Sequence, residues 1–367
     1  MKIPFFDYKY LYKKKGKQLT QIFKKVCSGG KFILQNELKE FEDKISDYTR
    51  SKYSIGVGNA TDALTLLIKS YNIKKNSEII ISSHTMIATA EAVYHNGLKP
   101  IPTEFGYDGL IDVNNIENKI TKNTKGIIVT HLNGRVCDMK KILQICKKYK
   151  LLLFEDAAQA LGAKYFEKYA GTFGNGGVIS FYPSKVLGGL GDGGMILVNN
   201  KLNYNKLVSM RNHGRDKFNK IKEWGYNSRL DNMQASFLNI LFKDHDKNIN
   251  YRRTLADYYF KYIKQNENIV LPPNPKNDLK NYDIFQNFEV RVNYRKELIK
   301  YLSLNKIGTL IQWSGVSINN IPNLNLKIKL KSDYDFKKLL MLPMNLSLKK
   351  NDIIKISNCI NKFYETK

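Results

Sequence analysis

The stretch GIIVTHLNGRVCDMKKILQICKKYKLLLFEDAA, residues 126–158, decides the fold. Its two apolar runs, GIIVTHL (126–132) and LLLFEDAA (151–158), carry their polar residues toward the C-terminal ends. Continuous apolar runs of this length are the pattern of strands buried on both faces. Met139–Tyr149, between them, reads as a helix. Strand, helix and strand in that order form the repeating unit of a parallel sheet covered by helices.

The same alternation extends outward. On the N-terminal side, ELKEFEDKISDYTR (37–50) has Leu38, Phe41, Ile45 and Tyr48 at helical spacing. In SIGVGNATDALTLLIKSY (54–71) a short strand ends at Gly58, and a turn opens a helix carrying Ala63, Leu64, Leu66 and Leu67. EIIIS (78–82) and LKPIPTE (98–104) read as further strands. On the C-terminal side, GVISFYPSK (177–185) and GGMILVNN (193–200) are strands joined by a glycine-rich loop. A long helical segment runs from about Asp231 to Tyr262, and LPPNPKND (271–278) marks a loop. Residues 284–367 mix strands, IFQNFEV (284–290) and IGTLIQW (307–313), with helices, RKELIKYLSL (295–304) and KKNDIIKISNCINKFY (349–364). The expected architecture is a large α/β domain over 1–245, N-terminal segment included, and a smaller α/β domain over 246–367.

Composition narrows the function classes. The 367 residues are 43% hydrophobic and 12% aromatic, enough for one large core or two and too apolar for a disordered chain. No apolar run reaches the roughly 18 residues of a membrane span, and MKIPFFDYKYLYKKKGKQ at the N-terminus lacks the apolar core of a secretory signal. The net charge of +27 points first to nucleic acid or an anionic membrane. However, 51 of the 60 basic residues are Lys and only nine are Arg, and base and phosphate readers favour Arg forks. The Lys is spread along the chain among Asn and Ile, as a coding bias on solvated faces would leave it. The expectation is therefore no nucleic-acid and no membrane partner. Cys27, Cys137, Cys146 and Cys359 form no C-x-x-C pair, and the five His have no metal-ligand spacing, so no metal is expected. Sparse, unpatterned Cys points to a reducing cytoplasm.

Four features carry chemistry. Lys185 lies in SFYPSKVLGGLGDGG (180–194), after an apolar strand and beside glycines that let backbone approach a ligand. It is either a covalent nucleophile or one surface Lys among many. Gly189-x-Gly191-x-x-Gly194 matches the dinucleotide fingerprint in letters only, because it precedes a strand instead of opening a helix. Asp156 ends a buried strand, where open α/β sheets place ligand groups, or it caps a helix. GNATDAL (58–64) either offers backbone N–H groups to a phosphate or is capped by Thr61 or Asn59. In YNSRLDNMQAS (226–236), Asn227 and Arg229 precede a helix and singly read as loop and cap residues. Together the four compose a site for pyridoxal phosphate, which needs a Lys for its aldehyde, an acid for its ring nitrogen and donors for its phosphate.

In the order GVGNATDAL, EDAAQALG, SFYPSK…GDGG and YNSRLDNMQA, the chain resembles the DegT/DnrJ/EryC1/StrS family of pyridoxal-phosphate-dependent sugar-nucleotide aminotransferases. The resemblance runs from IPFFDYKYLY to LMLPMNLSL. It implies the aspartate-aminotransferase fold (fold type I), a mostly parallel sheet in the large domain and a smaller C-terminal domain. It implies that Lys185 bonds the cofactor, Asp156 pairs with the ring nitrogen and Gln159 sits near the ring oxygen. Ala60, Thr61 and Ser180 would hold the phosphate. Asn227 would reach it from a partner subunit, which makes the active unit a homodimer. The family carries an aromatic residue in the segment that here reads TMIAT (85–89), so Met86 would pack on the ring instead.

Many relatives that aminate carbon 4 have a His-rich segment where this chain reads TLIQWSGVSINN, leaving Gln312 and Trp313 as candidate sugar contacts. Lys31, Arg211, His213 and Arg229 are candidate contacts to the nucleotide-sugar. Sugar dehydratases of the family replace the Schiff-base Lys by His, so the retained Lys185 disfavours that activity. The implied reaction is a ping-pong transfer of the amino group of L-glutamate to a keto sugar. The SFYPSK…GLGDGG version favours a dTDP-3-oxo-6-deoxyhexose, giving a 3-amino-3,6-dideoxyhexose for surface glycan such as lipopolysaccharide. A 4-oxo-6-deoxy nucleotide-sugar is the alternative, and a non-catalytic binding or regulatory protein that keeps the fold is the alternative of a different class.

Overall fold

The unit at 126–158 forms as its pattern requires: strand Thr124–Thr130, helix Met139–Tyr149 and strand Leu152–Asp156. The two strands pair in parallel, Gly126 opposite Leu152 and Thr130 opposite Asp156. Asp138 caps the helix by accepting the Lys141 N–H, and Lys150 ends it in the left-handed region. The structure, a computed structural model, describes residues 2–326 and 328–367.

In chain order the strands are β1 (Tyr53–Val57), β2 (Glu78–Ser82), β3 (Lys99–Thr103), β4 (Thr124–Thr130) and β5 (Leu152–Asp156). A small hairpin of β6 (Lys164–Tyr165) and β7 (Lys168–Tyr169) precedes β8 (Gly176–Ser180) and β9 (Gly194–Val198). Beyond them lie β10 (Ile269–Val270), β11 (Asn281–Tyr282), β12 (Phe288–Val292) and β13 (Leu339–Leu342). The central sheet has seven strands in the order β1-β9-β8-β5-β4-β2-β3. Of these seven strands β9 alone runs opposite to the other six, antiparallel to both β1 and β8.

The helices are α1 (Tyr8–Gly29), α2 (Asn36–Thr49), α3 (Ala60–Ser70), α4 (Ile87–Tyr94), α5 (Met139–Tyr149), α6 (Lys201–Met210), α7 (Asn232–Leu241), α8 (His245–Tyr262), α9 (Arg295–Leu304), α10 (Asp333–Phe336) and α11 (Lys350–Glu365). They cover both faces of the central sheet. Along β4, Ile127 and Val129 enter one core with Leu38, Phe41 and Ile45 of α2, while Ile128 enters the other with Ala63, Leu64 and Leu67 of α3. This two-faced burial is why the central strands read as unbroken apolar runs. A third core joins β10, β12 and β13 to Leu298 and Leu302 of α9 and to Ile353, Ile356 and Ile360 of α11. Ile3 also lies in it. Helix α8 links the cores, with Ile249 in the first and Leu255 and Tyr259 in the third.

Three expectations change in detail. GVISFYPSK is a strand only to Ser180. The chain then turns, with Lys185 N–H donating to Tyr182 O, because Pro183 has no N–H to continue a ladder. The helical segment 231–262 is two helices, α7 and α8, joined by a single tighter turn at Phe242–Asp244. IGTLIQW is not a strand. Ile307 bridges Ile3, Leu310 bridges Met341, and Trp313 and Ser314 then adopt positive φ and reverse the chain. No helix of the described residues is long and apolar enough to cross a membrane.

Candidate active site

Parallel strands bring their carboxyl ends to one edge of the sheet, and here Thr130 ends β4, Asp156 ends β5 and Ser180 ends β8. All three line one cavity of about 670 Å³. Ala60 and Thr61 border it from the first turn of α3, Met86 from the residue before α4, and Lys185 from the turn after β8. Open α/β sheets bind ligands at this edge.

Helix α3 reaches the cavity because β9 begins with glycine. A Cβ at Gly194 would lie 2.4 Å from the Asn59 carbonyl carbon. Asn59, not Thr61, caps α3, accepting the Asp62 N–H at 2.8 Å. The Thr61 hydroxyl is thereby left free at the cavity, together with first-turn N–H groups that have no partner inside the helix. The motif at 226–236 fastens this turn: Ser228 Oγ donates to Asp62 Oδ2 at 2.6 Å and accepts the Gly58 N–H at 3.0 Å.

Lys185 is half-buried, and burial pushes its amine down to about 8, an effect the Asp156 carboxylate partly offsets. Among the described residues no group hydrogen-bonds its Nζ. Gln286 holds the turn on both sides of it: Gln286 Oε1 accepts the Val186 N–H at 2.8 Å and Nε2 donates to Ser184 O at 2.9 Å. Asp156 is buried, Oδ2 accepting from Thr89 Oγ1 at 2.8 Å and Oδ1 from Ala158 N at 3.1 Å. No helix starts at Asp156, so it is not a helix cap. Gln159 turns its Oε1 to the Asn133 N–H at 2.8 Å, a bond that fixes which end of the amide faces away.

Gln312 and Trp313 also line the cavity. Gln312 Nε2 donates to Asn133 Oδ1 at 2.8 Å, and Asn287 Nδ2 donates to the same oxygen at 2.8 Å. Trp313 packs edge-on against His84. The other candidates lie elsewhere. Arg211 is a correction: its guanidinium is buried and pairs with Glu42 and with Gly56 O, so it is not placed to meet a substrate. Arg229 donates to Asn212 Oδ1 at 2.9 Å. Lys31, His213 and Asn227 are exposed and do not line the cavity of their own protomer.

Sequence reasoning missed Thr89, Gln286, Asn287 and Asn133. The signal for Thr89 was a second threonine four residues after Thr85, across the start of α4. For Gln286 and Asn287 it was two adjacent amides inside the apolar run IFQNFEV.

The arrangement fits pyridoxal phosphate. An unpartnered amine of depressed pKa suits an aldehyde, a buried carboxylate suits a protonated ring nitrogen, and a helix N-terminus with two hydroxyls suits a phosphate.

Comparison with known proteins agrees. The model of the DegT/DnrJ/EryC1/StrS aminotransferase family matches residues 13–361. The dTDP-3-amino-3,6-dideoxy-alpha-D-galactopyranose transaminase of Aneurinibacillus thermoaerophilus is 38% identical over 312 residues, 85% of each chain. The crystal structure of Streptomyces venezuelae DesV superposes with a TM-score of 0.94 at 29% identity, covering 99% of both chains. The Bacillus subtilis NtdA structure, solved with bound cofactor PMP, superposes with a TM-score of 0.88 at 26% identity, covering 98% of this chain and 85% of that one. Since the matched span takes in every motif that borders the cavity, the chain belongs to the DegT/DnrJ/EryC1/StrS aminotransferase family and is a pyridoxal-phosphate-dependent transaminase.

Proposed function

We propose that this transaminase moves the amino group of L-glutamate to carbon 3 of a dTDP-linked 3-oxo-6-deoxyhexose, giving a 3-amino-3,6-dideoxyhexose for surface glycan such as lipopolysaccharide. The observation that carries the chemistry is the Lys185 amine, held near neutrality in the same cavity as Asp156. The support for carbon 3 is the 38% identical relative named for a 3-amino-3,6-dideoxy sugar.

Bound pyridoxal phosphate supplies an electron sink that makes the Cα proton of an amino acid labile. Lys185 Nζ, neutral in part at physiological pH, takes that proton from glutamate Cα and returns a proton in the second half-reaction. Asp156 holds a negative charge opposite the ring nitrogen. The N–H groups of Ala60 and Thr61, with the Thr61 and Ser180 hydroxyls, would hold the phosphate, and Gln159 would serve the ring oxygen. Met86 would pack on the ring. Gln312 and Trp313 border the sugar, and Arg229 and Lys31 remain candidates for the nucleotide.

The working unit in this reading is a homodimer in the cytoplasm. Asn227 and His213 stand exposed outside their own cavity, free to complete that of a second copy. All four cysteines are free thiols, as a reducing compartment keeps them.

Incubation with ¹⁵N-glutamate and a panel of 3-oxo and 4-oxo nucleotide sugars tests the proposal. The expected product is a dTDP sugar with ¹⁵N on carbon 3, alongside 2-oxoglutarate. Label only on carbon 4 would overturn the carbon assignment. No aminated sugar from any member would overturn the sugar reading and favour a regulatory role.

A further inference from the structure

Asp156 meets a line of three threonines. Its Oδ2 is 2.8 Å from the Thr89 hydroxyl, which is 2.8 Å from that of Thr85, which is 2.7 Å from that of Thr130. Thr130 ends β4, while Thr85 and Thr89 stand on either side of the start of α4. All three are buried, at 5%, 1% and 0% exposure in the order Thr130, Thr85, Thr89. Thr130 and Asp156 border the cavity, and Thr85 and Thr89 do not.

The proton positions along this line follow from counting. A hydroxyl has one proton to donate, and an ionised carboxylate only accepts. Thr89 therefore donates to Asp156. Its oxygen is then the acceptor for Thr85, and Thr85, with no second proton, accepts from Thr130. Charge on Asp156 thus sets every O–H in the line pointing at the carboxylate. Aligned O–H groups in a water-excluded interior polarise one another, so the line acts on the carboxylate as more than its last bond.

We propose that Thr130, Thr85 and Thr89 form a positioning relay that orients Asp156 and holds its negative charge toward the cofactor's ring nitrogen. The inference rests on the reading of Asp156 given above. Its most useful element is Thr85, which touches neither the cavity nor the carboxylate. Valine at this position keeps the branched shape and removes the hydroxyl, while serine keeps the hydroxyl.

The test measures the dissociation constant of cofactor-free protein for pyridoxal phosphate, with the visible spectrum, for Thr85→Val, Thr85→Ser and Asp156→Asn. Thr85→Val should bind roughly three- to tenfold more weakly, the size of one hydrogen bond between neutral groups, since its partners are hydroxyls. Its visible band should shift in the same direction as that of Asp156→Asn. Thr85→Ser should stay within about twofold of the parent on the same scale. Parent-like binding and spectrum in Thr85→Val beside a defective Asp156→Asn would overturn the relay and leave the role of Asp156 standing. An equal defect in the Val and Ser variants would also overturn it, since packing would then be the cause. A parent-like Asp156→Asn would overturn the role of Asp156 and the relay together. If Thr85→Val does not fold, Thr130→Val should show a smaller loss in the same direction, and unchanged binding and spectrum there would overturn the relay.

Discussion

A lysine among 51 is distinguished by its surroundings. Lys185 sits where burial lowers its amine from 10.5 to about 8. Only the neutral amine attacks an aldehyde, so the charge state sets the rate of cofactor capture. Below about 8 the amine is largely protonated and inert, and above it largely neutral. Cofactor-free protein mixed with pyridoxal phosphate should therefore gain visible absorbance faster as pH rises, with the rate levelling off above about 8. A rate still climbing beyond pH ~10 would mean that Lys185 behaves as an ordinary exposed lysine. Asp156 was legible in the sequence because it ends an apolar strand, and Lys185 because it follows one closely, in the turn after β8; the strand ends and the turns after them build the site. Arg211 looked equally chemical beside His213, yet its partner, Glu42, lies 169 positions away. A buried ion pair formed across such a distance leaves no local signal.

At the scale of elements, Gln286 ties the C-terminal part of the chain to the turn that carries Lys185. Its two bonds bracket the lysine as a short ladder would. Gln286→Ala removes both, and a displacement of about 1 Å in a reacting group costs up to about 100-fold in rate. The expected result is a fall in kcat of roughly 10- to 100-fold with glutamate KM changed much less. An unchanged kcat would show that the turn keeps its shape unaided. The central strands were legible because each sends successive residues into two cores, which demands an unbroken apolar run. The segment 307–313 has a similar apolar look, but it pairs at single positions with Ile3 on one side and Met341 on the other. Its pattern recorded burial, and the pairing depended on chain ends that no local window contains.

The whole molecule raises two questions that one cavity does not answer. The first is the second copy. A homodimer should elute and scatter light at twice the 42.4 kDa of one chain. Asn227→Asp, which puts a charge where the amide would meet the partner's cofactor phosphate, should then weaken cofactor binding although Asn227 is outside its own cavity. A monomeric protein with full cofactor affinity would contradict the shared site. The second is the charge of +27. The cofactor phosphate, a nucleotide diphosphate and glutamate are all anions, and a positive protein draws them in through solvent. The lysines are spread over solvated faces, so this attraction bears on approach and solubility, while the four motifs carry the chemistry.

The bond between the cofactor and one side chain is the centre of the chemistry. Borohydride reduction of the purified protein, followed by digestion and mass spectrometry, locates that bond. A phosphopyridoxyl group is expected on the peptide containing Lys185, and none on that peptide from a Lys185→Ala variant. A label on any other lysine, or none on protein incubated with pyridoxal phosphate, would contradict the role of Lys185.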